Sequence, residues 1–235
     1  MLTLSSIKSI GADAYEYVFA SDRKLAFAPG QYLEWTLGHR FPDDRGNRLY
    51  FTIASSPTEK EIALGVKFYD PPSTFKRALG EMKVGDTISA SHLAGSFVLP
   101  RDPKQKLVFI AGGIGITPFR SMIQYLLDKN EARSVVLLYA NKKAEDIGYR
   151  DIFDRAQSEL GIKTIYFATG EKNPVPGVYT ESLSAKAIAR EVPDYRDRMY
   201  YLSGPHTMVA AFEKSLREMG VPRRKIKVDF FPGFA

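Results

Sequence analysis

The sequence predicts a two-part chain: an all-β antiparallel barrel over residues 1–102, then an α/β domain with a doubly wound parallel sheet over 103–235. Three observations predict it. Up to about residue 100 the chain is a series of short runs of β-formers punctuated by turn residues. From "KLVFIAG" onward, apolar strand runs alternate with helical patterns, which is how a parallel sheet reads. Between the two regimes lies "RDPKQK" (101–106), polar and broken by a proline.

The elements follow in order. "YEYVFAS" (15–21) and "QYLEWTL" (31–37) are rich in strand formers, and Pro29-Gly30 marks a turn before the second. "LYFTIASS" (49–56) and "EIALGVKFY" (61–69) are the next strands. "STFKRALGEM" (73–82) reads as a short helix with Ser73 or Thr74 as N-cap. Gly85-Asp86 turns into "TISASHL". Six short strands and one helix suggest a small barrel. In the second half the strand "KLVFIAG" leads to a helix from Pro118 to about Lys129, then "SVVLLYA" (134–140) and the helix "YRDIFDRAQSEL" (149–160). "KTIYFAT" enters an irregular Pro/Gly stretch (171–177), followed by a helix near 180–190 and the strand "RMYYLSG" (198–204). "HTMVAAFEKSLREMG" is an amphipathic helix and "KIKVDFF" a final strand.

Composition narrows the function classes. The 235 residues contain no cysteine, which excludes disulfides, thiolate catalysis and cysteine-ligated clusters in this chain and fits a reducing compartment. The first residues lack the apolar core and cleavage pattern of a signal peptide, and no stretch reaches the length of a membrane span. The net charge of +6 is spread among both signs. Its densest run, Arg223, Arg224, Lys225 and Lys227, reads as a solvated face. No nucleic-acid recognition fold accompanies it. His39, His92 and His206 have no metal-ligand spacing, so no metal site is expected.

The densest local signal is "LVFIAGGIGITPFRSM" (107–122): a buried strand, a glycine cluster, then a helix opened by Pro118. Glycines there let backbone N–H groups approach an anion at a helix N-terminus. A tight packing turn is the competing explanation, and the spacing departs from G-x-G-x-x-G.

"YFTIASSP", "GSFVLP", "AGGIGITP" and "YYLSGPHTMV", in that order along the chain, resemble the ferredoxin–NADP reductase family, and the resemblance covers essentially the whole chain. It implies a flavin-binding barrel and an NAD(P)H-binding domain, and hence a flavin-dependent NAD(P)H oxidoreductase. Electrons would pass from NAD(P)H through FAD, with FMN as the alternative, to a protein or small-molecule acceptor, including a membrane electron-transport partner. The implied location is cytoplasmic, or peripheral at the inner face of a membrane. The alternatives are a free-flavin reductase and a non-catalytic regulatory module of the same fold.

The resemblance implies roles for particular residues. Thr52 would hydrogen-bond flavin N5 and Phe51 would lie against the ring, with Tyr50 and Ile53 flanking them. The family's motif arginine falls on Leu49, with Arg48 one place early and expected on the opposite face of the strand. Val66, Lys67 and Phe68 would offer backbone contacts to the pyrophosphate, and Ser73 and Thr74 would hold it at the helix start. Gly112, Gly113 and Gly115, with Pro118 opening the helix, would pass under the NAD(P)H pyrophosphate. Thr117 would touch the nicotinamide, near Ser203, Gly204, Pro205 and Met208. Thr52, Thr117 and Ser203 are the catalytic candidates. Asn141, Lys142 and Lys143 stand where adenosine specificity is set, and the lysines fit either a 2′-phosphate or solvent. Phe231 or Phe234 would cover the flavin face.

Overall fold

The structure, a computed structural model, describes residues 1–229. The first six strands form one antiparallel sheet: β1 (Leu2–Ser9), β2 (Ala14–Ala20), β3 (Tyr32–Thr36), β4 (Arg48–Thr52), β5 (Ile62–Lys67) and β6 (Thr87–Ala94). Their order is β4-β3-β6-β1-β2-β5, and a single bridge between Ile53 and Leu64 joins the two edges, so the sheet closes into a barrel. The short helix α1 (Thr74–Glu81) packs Phe75 and Leu79 against a core built around Trp35, Phe19, Leu33 and Leu64.

The second sheet is parallel. It comprises β7 (Leu107–Gly112), β8 (Val135–Asn141), β9 (Lys163–Ala168), the two-residue β10 (Val178–Tyr179), β11 (Met199–Ser203) and β12 (Ile226–Val228), in the order β10-β9-β8-β7-β11-β12. The helices α2 (Thr117–Asp128), α3 (Arg150–Leu160), α4 (Ala185–Glu191) and α5 (His206–Glu218) connect them. Every residue of β7 is buried. One face packs Phe109 and Ala111 against Phe119 and Ile123, the other Val108 and Ile110 against Val209 and Leu216. A strand covered on both faces needs a continuous apolar run, which is why "LVFIAG" has no alternation.

Two elements were not specified from sequence. β1 has an irregular apolar pattern because a bulge interrupts its pairing with β2 between Leu4 and Ser6. β10 extends the sheet from within the Pro/Gly stretch, pairing Val178 with Tyr166.

Candidate active site at the domain seam

The parallel sheet reverses its direction of growth between β7 and β11, so their carboxyl ends frame the crevice where open α/β sheets bind ligands. Ser203 pairs with Ala111 there. The glycines after β7 divide into two kinds. A Cβ on Gly112 would lie 2.4 Å from the Met208 sulfur, and one on Gly115 2.5 Å from Gly204 N and the Ser203 carbonyl. Both are therefore glycine because the β11–α5 turn (Ser203, Gly204, Pro205, Met208) packs on them. Gly113 has φ +52° and nothing within 4 Å of a Cβ. It opens a 3₁₀ turn, Gly113–Ile116, that runs into α2 with no side chain capping its start. Uncapped N–H groups at such an end suit a phosphate. Packing thus accounts for two of the three glycines and a left-handed backbone for the third. Pro118 lies in the first turn of α2, where its missing N–H costs nothing. Beside this turn, at the end of β8, Asn141 leaves its amide nitrogen buried without an acceptor.

On the barrel side, β4 alternates. Leu49 is buried in the core, and Phe51 packs inward with its ring 5.9 Å from that of Phe75. Ile53 is wholly buried and Val66 nearly so. The side chains of Phe51, Ile53 and Val66 are core residues, which corrects the flavin contacts expected of the first two. The outer face of β4 carries Arg48, Tyr50 and Thr52, spaced two apart. Arginine and aromatic ring therefore share one face without any bulge, and Tyr50, not Phe51, is the outward ring. Tyr50 is 40% exposed and meets Tyr32 edge-on at 5.7 Å. Its hydroxyl donates to Glu34 Oε2 at 2.9 Å, whose other oxygen lies 3.9 Å from Arg48. This bond is the main reason the Tyr50 hydroxyl is held above its usual pKa.

Thr52 and Ser203 meet at a third residue. The Ser203 hydroxyl donates to Asp229 Oδ2 at 3.1 Å, and Thr52 Oγ1 lies 3.5 Å from the same oxygen. Asp229 is fixed by its backbone N–H, which donates to Leu202 O at 2.9 Å. Burial pushes its carboxyl up to about 7 against the opposing pull of the two hydroxyls. Thr117 stands beside this cluster on the nucleotide side. Its hydroxyl donates to Ile114 O at 3.2 Å, and its methyl carbon would lie 2.6 Å from a Cβ at Gly65 of β5. Its contact is therefore with the barrel strand.

The start of α1 is occupied by the chain itself. Ser73 Oγ accepts from Lys76 N. Thr74 N donates to Asp43 Oδ2 at 3.1 Å, while Thr74 Oγ1 accepts from Asp43 N and contacts His39 Nε2. Phe68 N donates to Asp13 O. These donors, expected on a pyrophosphate, are engaged internally. A cation does stand close by: Lys76 Nζ donates to the Lys67 carbonyl at 2.9 Å and lies over the Tyr69 ring. Burial, with Arg45 nearby, lowers it to about 8. Lys67 reaches Asp146 of the other domain at 3.7 Å. Lys143 pairs with Glu145 at 2.8 Å, both exposed. Phe231 and Phe234 lie outside the described residues.

Glu34, Asp43, Lys76 and Asp229 escaped sequence reasoning. A single acidic residue inside an apolar strand, as in "YLEWT" and "KVDFF", was the available signal for two of them.

The residues present fit a flavin on the outer face of β4 and a dinucleotide on the Gly113 turn. The barrel followed by a parallel sheet is the fold of the ferredoxin–NADP reductase-like FAD/NAD-binding modules. Residues 109–214 match the oxidoreductase NAD-binding domain family. The chain is 29% identical over 212 residues to a flavohemoprotein of Candida albicans, covering 86% of this chain and 50% of that protein. It is 28% identical over 200 residues to one component of the Na(+)-translocating NADH-quinone reductase of Methylococcus capsulatus, covering 82% and 47%. The chain thus spans about half the length of these relatives. Among solved structures, the FAD/NAD-binding domain of a Vibrio cholerae nitric oxide dioxygenase superposes with a TM-score of 0.83 at 20% identity, over 98% of this chain and 97% of that one. An Amycolatopsis cytochrome P450 reductase gives 0.85 at 24%, over 98% and 68%.

Proposed function

We propose that this chain is the reductase module of an electron-transfer system, taking hydride from NADH or NADPH onto a flavin at the domain seam. The observation that carries the reading is the meeting of Thr52 from the barrel with Ser203 and Asp229 from the nucleotide domain at one carboxylate oxygen. A bound flavin supplies the chemistry, accepting two electrons from NAD(P)H and releasing them singly or in pairs. The protein's part is placement. The outer face of β4 offers Tyr50 as a flat contact, Arg48 as a phosphate partner and Thr52 as a hydroxyl for the reactive edge. The uncapped Gly113–Ile116 turn receives the dinucleotide phosphates. Asp229, with a pKa near neutrality, holds or yields a proton against the two hydroxyls as charge moves at the seam.

The acceptor is a protein or a small molecule and not an iron–sulfur cluster held by cysteines of this sequence, which has none. The division into units at 1–102 and 103–235 goes with this reading: one binds flavin, the other coenzyme. Among the described residues no helix is long and apolar enough to cross a membrane, and we place the module in the cytoplasm or against a membrane's inner face.

One observation favours a second reading, a reductase that uses flavin as an exchanging substrate: Asp43 already occupies the donors at the α1 start. The deciding experiment is the visible spectrum of the purified protein, before and after anaerobic NADH and then NADPH. A flavin band that bleaches supports the reductase, and its retention through gel filtration distinguishes a resident flavin from a substrate. A protein that stays colourless after FAD or FMN is added overturns a resident flavin, and a failure to oxidise NADH or NADPH with free flavin present overturns both.

A further inference from the structure

Two neighbouring side chains of α2 cross the seam to one short stretch of the barrel. Arg120, 7% exposed, donates from NH1 to the Ala54 carbonyl at 3.2 Å and grips Glu59 with both terminal nitrogens, NH2 to Oε1 at 2.9 Å. Ser121, fully buried, donates to the Ser55 carbonyl at 2.6 Å. Their targets follow directly on Thr52 and Ile53. The helix that carries the donors continues directly from the Gly113–Ile116 turn. The two ends of this linkage are therefore Thr52, which the reductase reading sets at the flavin's reactive edge, and the glycine turn, which it sets under the coenzyme phosphates. A helical turn is stiff and advances about 1.5 Å per residue, so a slip of Arg120 against Glu59 moves the Gly113 turn against Thr52 almost undiminished.

Packing holds the turn itself, where Thr117 and Ile114 close on Gly65 of β5, but it is interrupted beside Arg120. A cavity of about 420 Å³ runs along the seam beside Arg120. Its lining brings together Arg120, Glu16 and the buried Tyr149, whose ring lies under the Arg120 guanidinium at 5.6 Å. Arg120 Nε and Glu16 Oε1 stand 3.9 Å apart, a charge contact without a bond. Where close packing is interrupted, atoms on either side have little to resist a slide. Directional bonds must then hold the position. A planar guanidinium forked onto a carboxylate and anchored to a carbonyl supplies that direction, which a lysine ammonium does not.

We propose that Arg120 is a positioning residue for hydride transfer: it locks the register between the coenzyme-binding Gly113–Ile116 turn and the Thr52 segment. This rests on the reductase reading above. A misplacement of about 1 Å can slow a reaction by roughly a hundredfold, so the linkage acts on rate rather than on binding.

The test is anaerobic stopped-flow bleaching of the flavin-loaded protein with NADH and NADPH, protiated and 4-deuterated, in wild type, Arg120→Lys and Glu59→Gln. Amide exchange over residues 54–60 is measured in parallel on flavin-free protein. For Arg120→Lys the limiting rate is expected to fall by about tenfold to a hundredfold. Flavin content and half-saturating coenzyme should stay within about twofold, the isotope effect should rise, and exchange at 54–60 should quicken even without flavin. Glu59→Gln reads the same bond from its more exposed end and gives a smaller loss, so the proposal stays testable if Arg120→Lys folds poorly. Combined, the two losses should fall short of additive. An unchanged limiting rate and isotope effect in both variants overturns the positioning role. So does a loss confined to flavin content or coenzyme affinity. If wild type itself does not bleach, the reductase reading fails, and this role of Arg120 falls with it.

Discussion

Replacing Asp229 with asparagine should change how stability depends on pH. Burial raises its carboxyl from the ordinary 3.8 to about 7 in the folded protein. A shift of that size corresponds to on the order of 4 kcal/mol, at about 1.4 kcal/mol per tenfold change. The sign follows from proton counting. Between about pH 4 and 7 the folded protein keeps the proton and the unfolded chain loses it. Stability therefore falls as pH rises through that window and levels off above about 7. Asparagine keeps the shape and can still accept from Ser203, but it cannot ionise. Urea unfolding at pH 4.5 and 8.5 should show a variant close to wild type in acid and roughly 2–4 kcal/mol more stable in base, the lower figure allowing for partial hydration of a half-buried residue. The pH profile of flavin bleaching by NAD(P)H should likewise lose an inflection near 7. An Asn-minus-wild-type difference that is equal at the two pH values would refute the buried-carboxyl argument.

Other perturbations separate the remaining roles. Gly115→Ala places a methyl 2.5 Å from backbone atoms of Ser203 and Gly204, so it should unfold the protein at a temperature well below wild type, an overpacking cost of roughly 1–3 kcal/mol or more. Gly113→Ala meets only the left-handed backbone penalty of about 1–2 kcal/mol. It should fold, yet weaken coenzyme binding in fluorescence titration. Asp43→Ala frees the Thr74 N–H, and isothermal titration should show tighter FMN or FAD binding. Unchanged flavin affinity would show that no phosphate reaches that end of α1. Lys76 titrates near 8 because it is buried. Flavin-phosphate affinity should therefore fall as pH rises through about 8, and Lys76→Gln should flatten that dependence.

Much of this was legible in the sequence for a simple reason: each half has its own period. The barrel strands carry turn punctuation, and β7 carries an unbroken apolar run, so fold class and element order could be read off. The Gly-rich turn was visible as a glycine cluster at the end of a buried strand, while Ser203 came only through the resemblance of "SGPHTM" to the family's segment. What failed was parity. Counting back from Thr52 by family pattern puts the arginine at Leu49 and the ring at Phe51. The barrel decides otherwise, because Leu33 and Trp35 on β3 pair opposite Phe51 and Leu49 and draw both inward. A strand has only two faces, and the apolar partners across the sheet choose between them. Asp229 and Arg120 were illegible for a different reason. Their significance lies in partners 177 and 61 residues away in sequence, and no local pattern encodes a meeting across a domain seam.

The two halves of the site are unequally prepared, and the inequality follows from where each keeps its anion-binding groups. At the Gly113–Ile116 turn no side chain caps the 3₁₀ start, so a dinucleotide meets open donors without displacing anything. At the start of α1, Asp43 supplies the negative charge that a helix N-terminus favours. A flavin phosphate must replace a carboxylate that is tethered nearby and never diffuses away. Displacing that carboxylate forfeits its bonds to Thr74 and Arg45, so it opposes flavin binding at this end of α1. The barrel compensates on the outer face of β4, where Arg48, Tyr50 and Thr52 line up with Glu34 holding the ring. On the proposed reading, ring contact would select flavin more than phosphate capture does. FAD and FMN, which share that ring, should differ little in affinity until Asp43 is removed.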